Sequence, residues 1–402
     1  MFDCTREYFK KEGKMKLRAV DYGCVKGKYV LLRVDFNVQI ENGKILDTFR
    51  IEQSMPTINK LRDAGARVAI CAHLGRPKGR VVPELSLRPV AEYMKIPFVD
   101  DVLNRDFMSN MHDGDVVLLE NVRFYAGEEE NDAGFAGALA RGFDLFVNDA
   151  FAVSHRAAAS TVGVTKILPA FAGELLKSEV ENISRLLENP TRPLTAIVGG
   201  AKVSGKIGVL KTLCKLADTV IVGGAIGTTF NYACGARVGN SLYEPDMADV
   251  AREIMKIADA HGCKFLMPID KGVGAKFEKS AVRINKTLDE IAEGDVIIDD
   301  GPMTATRNIA EIENSKTVIW NGTFGMAEWG AVWGESSFRV ARAIASQTKS
   351  GRLVSVVGGG ETVAAVDAAG VRDDMTFVST GGGAFLEFIE RGTLPAIEVL
   401  VI

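Results

Sequence analysis

ELLKSEVENISRLLENPTRPLTAIVGG, residues 174–200, is the stretch on which the architecture turns. Leu176, Val180, Ile183 and Leu187 recur at helical spacing, so residues 174–188 read as a helix with one apolar face. Asn189, Pro190 and Pro193 stop it. TAIVGG (195–200) then reads as a strand that ends in glycine. Before this helix the strand-like runs end in chemistry of another kind. YVLLRVDFN (29–37), RVAICAHLGR (67–76), VVLLENVRF (116–124) and DLFVNDAFAVSHR (144–156) run into an acid, an amide, a histidine or an arginine. After it, TAIVGG, TVIVGGA (219–225), LVSVVGGG (353–360) and TFVSTGGG (376–383) run into glycine. Two domains are therefore expected, 1–173 and 194–388, with 174–193 as the connector.

Between these runs lie helical patterns, the signature of parallel βα units. IEQSMPTINKLRDA (51–64) is an expected helix stopped by Gly65, with Pro56 near its beginning, where a missing N–H costs little. LSLRPVAEYM (85–94) is another. The expected fold class is α/β, with two parallel-sheet domains. Sheets of this kind bind ligands outside the carboxyl ends of their strands. A chain with two differently dressed sheets has a reason to bring two ligands together.

Composition narrows the function classes. At 402 residues the chain exceeds one ordinary core. With 48 basic and 52 acidic residues its formal charge is −4, which argues against nucleic-acid or membrane-surface binding. The six cysteines, Cys4, Cys24, Cys71, Cys214, Cys234 and Cys263, form no C-x-x-C, so neither a zinc site nor a redox pair is indicated. Cys71, in VAICA, reads as a small buried apolar residue. MFDCTREYFKKEGKMK lacks the apolar core of a signal peptide, and no run reaches membrane-span length. A cytoplasmic protein is expected. Met15 is an alternative start, which would make residues 1–14 an extension.

The glycine runs let backbone approach an anion with no Cβ in the way, and a following helix adds its free N–H groups. GGAKVSGKI (199–207) spells most of a P-loop, but Ile207 stands where Ser or Thr would hold Mg²⁺. Lys202 and Lys206, four apart, would share a face on a first helical turn and clamp a phosphate. No glycine run gives the dinucleotide fingerprint in register, which disfavours a dehydrogenase. Magnesium at a nucleotide site needs only one or two carboxylates. Glu361, directly after VVGGG, is the best placed, with Thr362 beside it; Asp299 and Asp300 in VIIDDGPMT are strand-end acids for which a turn role is equally open.

In the first half Asp35, Asn37, His73, Arg76, Arg123 and Arg156 follow strands, and Arg50 enters a helix. Arginine's planar fork suits carboxylate and phosphate together, so the set suits a small phosphorylated acid. His73 and His155 read as hydrogen-bond donors to an anion, not as bases or metal ligands.

These residues bring the chain to a family. RVDFNV (33–38), FRIEQSMPTI (49–58), HLGRP (73–77), ENVRF (120–124), NDAFAVSHRAAASTVG (148–163), ENPTRPLTAIVGGAKVSGKI (188–207), DDGPMT (299–304), WNGTFGMAEW (320–329), VVGGGET (356–362) and STGGGAFLEFI (379–389) resemble, in this order, phosphoglycerate kinases over essentially their whole length. The resemblance implies reversible phosphoryl transfer between 1,3-bisphosphoglycerate and ADP, giving 3-phosphoglycerate and ATP. It implies an α/β fold of two doubly wound parallel-sheet, Rossmann-like domains facing each other across a cleft, a monomer with Mg²⁺ bound alongside the nucleotide, and a last segment, 389–402, returning to the N-terminal domain. It assigns phosphoglycerate to Asp35, Phe36, Asn37, Arg50, His73, Leu74, Gly75, Arg76, Arg123 and Arg156. It assigns nucleotide to Lys202, Lys206, Gly223, Gly301, Asn321, Glu328, Gly359, Gly360, Glu361 and Thr362, with Glu361 on the metal. Arg50, Lys206, Gly382 and Gly383 would meet the phosphoryl group in flight. The chain departs from the usual family pattern at Gly205 and Glu361, each commonly Asp, at Gln39 and Thr323, each commonly Pro, and at Ala158, commonly His. The alternative is a non-catalytic nucleotide-binding protein of the same fold. Another kinase of phosphorylated acids is a second rival.

Overall fold

The structure, a computed structural model, describes residues 15–402. Cys4 and the possible extension 1–14 lie outside the described residues. The chain forms two compact units, one made of the residues up to Ser184 together with Arg391–Ile402, the other of Arg185–Glu390.

Each unit is built on a six-stranded sheet. In the first the order is Phe98–Val99, Val116–Leu119, Arg67–Cys71, Tyr29–Arg33, Leu145–Asn148, Ala170–Ala172, with every pairing parallel. In the second it is Lys264–Leu266, Thr219–Val222, Leu194–Val198, Thr317–Asn321, Val354–Gly358, Phe377–Val378, again all parallel. The central strands are buried along almost their whole length, as in VVLL and LTAIV. Helices cover both faces of such a sheet, which is why these runs show no polar alternation in the sequence.

The βα alternation is broken by a small antiparallel hairpin, Ile40–Glu41 with Lys44–Ile45, and by one larger excursion. Asp270–Gly274 pairs antiparallel with Ile284–Thr287 and with Val296–Asp300, forming a separate three-stranded sheet. Only loops and one short 3₁₀ turn join its strands, so no crossover helix exists to make them parallel. VIIDD therefore ends an antiparallel strand, and both of its acids are buried.

The helix expected from residue 51 begins two residues earlier, at Phe49, and runs to Asp63. Pro56 is thus in its interior, not at its beginning, and removes one ladder bond. The helix is held by Ile51, Ile58 and Leu61, buried against Val30, Leu32, Val68 and Ile70 of the sheet. Glu174–Glu188 is a helix with the bounds read from its periodicity, and Leu176, Val180, Ile183 and Leu187 are all buried. The C-terminal segment lies in the first unit: Arg18 N donates to Leu400 O at 2.8 Å, Ile402 N to Lys16 O at 2.9 Å and Ala396 N to Ser154 O at 3.1 Å. Among the described residues no helix is long and apolar enough to cross a membrane.

Candidate active site

In the first unit four neighbouring strands deliver polar groups from their carboxyl ends. Asp35 and Asn37 follow Tyr29–Arg33, His73 and Arg76 follow Arg67–Cys71, Arg123 follows Val116–Leu119, and Arg156 follows Leu145–Asn148. Buried Asp35 pairs with Arg50, which the first turn of its helix presents, and its other oxygen lies 3.9 Å from His73 Nδ1. Asn37 Oδ1 accepts from Gly75 N at 2.9 Å, and Arg123 Nη1 donates to Gly75 O at 2.9 Å. Gly75 adopts φ +62°, and a Cβ there would lie 2.7 Å from Leu85 Cδ2, so only glycine closes this turn.

The sequence reading missed Arg33. It is the last residue of its strand and 1% exposed. Its Nε donates to Ser160 Oγ at 2.8 Å, and Ser160 in turn donates to buried Glu128, from Oγ at 2.6 Å and from N at 2.9 Å. A strand-interior arginine in an otherwise buried run was the available signal, since such a charge must have a partner. Arg33, Arg123, Glu128, Arg156 and Thr161 line a small pocket of about 50 Å³.

Histidine chemistry here follows from burial. His73 is pushed well below its ordinary pKa, first by burial and then by Arg33, Arg123, Arg50 and Arg156. Four arginines acting on one imidazole is the electrostatic mark of their convergence. Arg33 Nη2 lies 3.3 Å from His73 Nδ1, and a guanidinium can only donate, so Nδ1 accepts and Nε2 carries the proton. His73 is thus a neutral donor. His155 differs from the expectation: its Nε2 accepts from Arg156 Nε at 3.2 Å, so it orients that arginine. Phe36 and Leu74 are core side chains, leaving only their backbone for a ligand. Arg76 is exposed on the His73 loop, outside the small pocket.

In the second unit the direction of chain progress across the sheet reverses between Leu194–Val198 and Thr317–Asn321. Ligands of open α/β sheets bind at such a switch point. Lys206 stands there. Its Nζ donates to Gly199 O and to Asn321 Oδ1, both at 2.7 Å. Burial lowers its pKa to about 8, against an upward pull from Glu361. The two lysines do not share a helical face: the helix begins at Ile207, Lys206 precedes it in a turn, and Lys202 is exposed in the loop before. Packing explains the glycines here, because a Cβ on Gly199 would lie 2.2 Å from Thr323 O.

At two of the four glycine turns the N–H groups are already taken. Gly199 N and Gly200 N donate to Asn321 O and Thr323 O, Gly223 N to Val198 O, and Gly224 N to Asp300 Oδ2 at 3.3 Å. The other two turns open helices, Gly360–Ala368 and Gly382–Arg391, whose first N–H groups have no partner within the helix. Added Cβ atoms on Gly360, Gly382 and Gly383 would meet nothing within 4 Å. Packing does not demand these glycines, and the space before them suits an anion.

Beside the turns of Gly200, Gly224 and Glu361 lies a cavity of about 290 Å³. Leu242, Phe277, Ile298, Phe324 and Met326 give it apolar walls, Gly200 and Gly224 bring backbone to it, and Glu328 and Glu361 supply its acids. Gly301 and Asn321 are not part of the lining. Gly301 caps the helix Pro302–Asn314, donating its N–H to Asp270 O, and Asn321 bridges Lys206 and Gly358 O. Thr362 is buried and its hydroxyl accepts from Gly322 N at 2.6 Å. Gly359, at φ +98°, caps the helix that starts at Gly360. Among the described residues no group of three or more His, Cys, Asp or Glu gathers as a metal site. Glu361, an exposed carboxylate in the first turn of its helix, fits a magnesium held mostly by nucleotide oxygens.

The family model for phosphoglycerate kinase matches residues 20–392. A phosphoglycerate kinase of Caulobacter vibrioides is 46% identical over 395 residues, covering 96% of this chain and all of the relative. One of Methylobacterium radiotolerans is 43% identical over 394 residues, covering 94% of this chain and 97% of the relative. The solved phosphoglycerate kinase of Coxiella burnetii superposes with a TM-score of 0.81 at 41% identity, covering 94% of this chain and 96% of that one. That of Pyrococcus horikoshii reaches the same TM-score at 28% identity and the same coverage. With the family model, the relatives and the fold in agreement, the chain belongs to the phosphoglycerate kinase family.

Proposed function

We propose that the chain transfers a phosphoryl group reversibly between 1,3-bisphosphoglycerate and ADP, yielding 3-phosphoglycerate and ATP. The observation that carries the reading is the pairing of two unlike sites in one family member. One is an arginine-rich pocket for a small anion; the other is a largely apolar cavity lined by Glu361, with Lys206 next to its Gly200 wall.

Chemistry explains why no general base is in evidence. The nucleophile is a carboxylate in one direction and a phosphate oxygen in the other, both ionised at neutral pH. What remains is positioning and neutralising charge on the moving group. In this reading Arg33, Arg123 and Arg156 take the phosphate of the glycerate, and His73 donates from Nε2. Asp35 aims Arg50 at the transferring phosphoryl. Lys206 and the amides of Gly382 and Gly383 meet that group from the nucleotide side. The base lies between the cavity's apolar walls, and Lys202, exposed beside them, adds a mobile charge. Glu361 would be the protein carboxylate for a magnesium bound with the nucleotide, and that ion would supply positive charge against the phosphates.

Transfer requires the reacting atoms within about 3–3.5 Å and water excluded from the acyl phosphate. We assign that closure to a hinge in residues 174–193 of a monomeric, cytoplasmic enzyme. Small-angle scattering should show compaction only with both substrates present. The deciding experiment is turnover of 3-phosphoglycerate with Mg-ATP in a coupled assay. Nucleotide binding without turnover would instead favour a non-catalytic protein of the same fold.

A further inference from the structure

A buried ion pair lies beneath the cavity of the second unit. Lys271 and Asp300 face each other across the antiparallel strands, their Nζ and Oδ1 2.7 Å apart, with both side chains completely buried. Asp300 Oδ2 accepts from Gly224 N at 3.3 Å, and Lys271 Nζ reaches Thr228 Oγ1 at 3.3 Å. Gly224 and Thr228 both line the cavity. They belong to one helix, Gly224–Ala233, and Thr228 Oγ1 bonds back to Gly224 O at 3.1 Å. The pair therefore grips that helix at two points one turn apart, both on residues that line the cavity.

Stability does not account for the pair. Desolvating two charges commonly costs as much as their attraction returns, and apolar replacements of similar volume are often neutral or stabilising. What the charges do supply is direction. A carboxylate is favoured at a helix N-terminus, where it fixes an otherwise unsatisfied N–H. Gly223 permits the approach, since a Cβ there would fall 2.5 Å from Asp300 Oδ2. This turn carries the same Gly-Gly pattern as the phosphate-facing ones, but its N–H is answered from inside the protein. It is left as a wall for the uncharged part of a nucleotide.

We infer that Lys271 and Asp300 are positioning residues for nucleotide affinity: they hold the Gly224–Thr228 turn as one wall of the base pocket. The inference rests on the phosphoryl-transfer reading above. The test compares the full-length chain with Asp300→Asn and with the double variant Lys271→Met/Asp300→Leu, which replaces the pair by apolar side chains and leaves no lone buried charge. Both should retain the parent's circular dichroism. In the double variant KM for Mg-ATP, and its Kd measured calorimetrically without phosphoglycerate, should rise about tenfold, the scale of one lost charge-assisted hydrogen bond. KM for 3-phosphoglycerate and kcat at saturation should stay within about twofold. Asp300→Asn, which keeps an acceptor but leaves Lys271 as a lone buried charge, should raise the same nucleotide constants and lower the unfolding temperature. Nucleotide constants within about twofold of the parent in both variants would overturn the inference, as would equal losses for both substrates. A parent that does not turn over defeats the functional reading instead, and the calorimetric comparison still decides this one.

Discussion

Lys206 carries a pH signature that an exposed phosphate-binding lysine would lack. Its ammonium is held by Gly199 O and Asn321 Oδ1 and is largely out of water, which brings its pKa to about 8. A group of that pKa is about 90% charged at pH 7 and about 10% charged at pH 9, whereas an ordinary lysine is still charged there. If the ammonium gathers nucleotide phosphates, kcat/KM for Mg-ATP should fall roughly tenfold between pH 7 and pH 9. The turnover number at saturation should hold to higher pH, because bound phosphates favour the charged form. Initial rates with saturating 3-phosphoglycerate, from pH 6.5 to 9.5 at constant ionic strength, read both quantities. Lys206→Arg cannot deprotonate in this range and should give a lower but flat profile. A parent kcat/KM that changes by less than about twofold between pH 7 and 9 would refute the reasoning, as would a Lys206→Arg profile parallel to the parent's. Stability has the opposite sign. Between about 8 and the ordinary lysine value of 10.5 the unfolded chain binds more protons at this position than the folded one, so this group's contribution to stability rises with pH.

Other expectations follow from single side chains. Arg50→Ala removes the cation that Asp35 aims and should lower kcat by about 10²-fold or more, with thermal unfolding within a few degrees of the parent; near-normal turnover would defeat its role. Asp149 is buried at the start of the helix Glu174–Glu188, accepting from Leu176 N at 3.0 Å, and burial raises its pKa to about 7. Its folded-state pKa lies above the unfolded value, so its contribution to stability is lost as pH rises from about 4 through 7. Asp149→Asn should flatten that slope in urea unfolding compared at pH 5 and pH 7.5, and an unchanged slope would count against the assignment. Glu361→Gln should raise the free magnesium needed for half-maximal rate several-fold and leave KM for 3-phosphoglycerate in place. An unaltered magnesium requirement would remove Glu361 from the metal.

Legibility in the sequence tracked how local each determinant is. The Glu174–Glu188 helix was readable to its bounds because one apolar face and its stop signals lie within twenty residues. Strand-end residues pointed to the Asp35, His73, Arg123 and Arg156 loops because parallel topology carries every strand's carboxyl end to one edge. Arg33 was passed over because it sits inside the strand, where its meaning comes from Ser160 and Glu128, more than ninety residues away. Pro56 was misplaced because a helix start depends on a capping turn that its own composition marks weakly.

Glycine shows the division best. The pattern Gly-Gly after a strand is the same at residues 199, 223, 359 and 382, and composition alone offers all four turns to phosphate. Tertiary structure separates them: partners distant in the chain consume the N–H groups of the first two and leave the helix ends at Gly360 and Gly382 open. Periodicity and strand-end chemistry, which are local, determined the fold class from the sequence by itself, and the ordered motifs carried the resemblance to the family. Which groups stay available to a ligand was decided only when the sheets brought distant donors and acceptors within 3 Å, since a hydrogen bond already made inside the protein is one that no substrate can use.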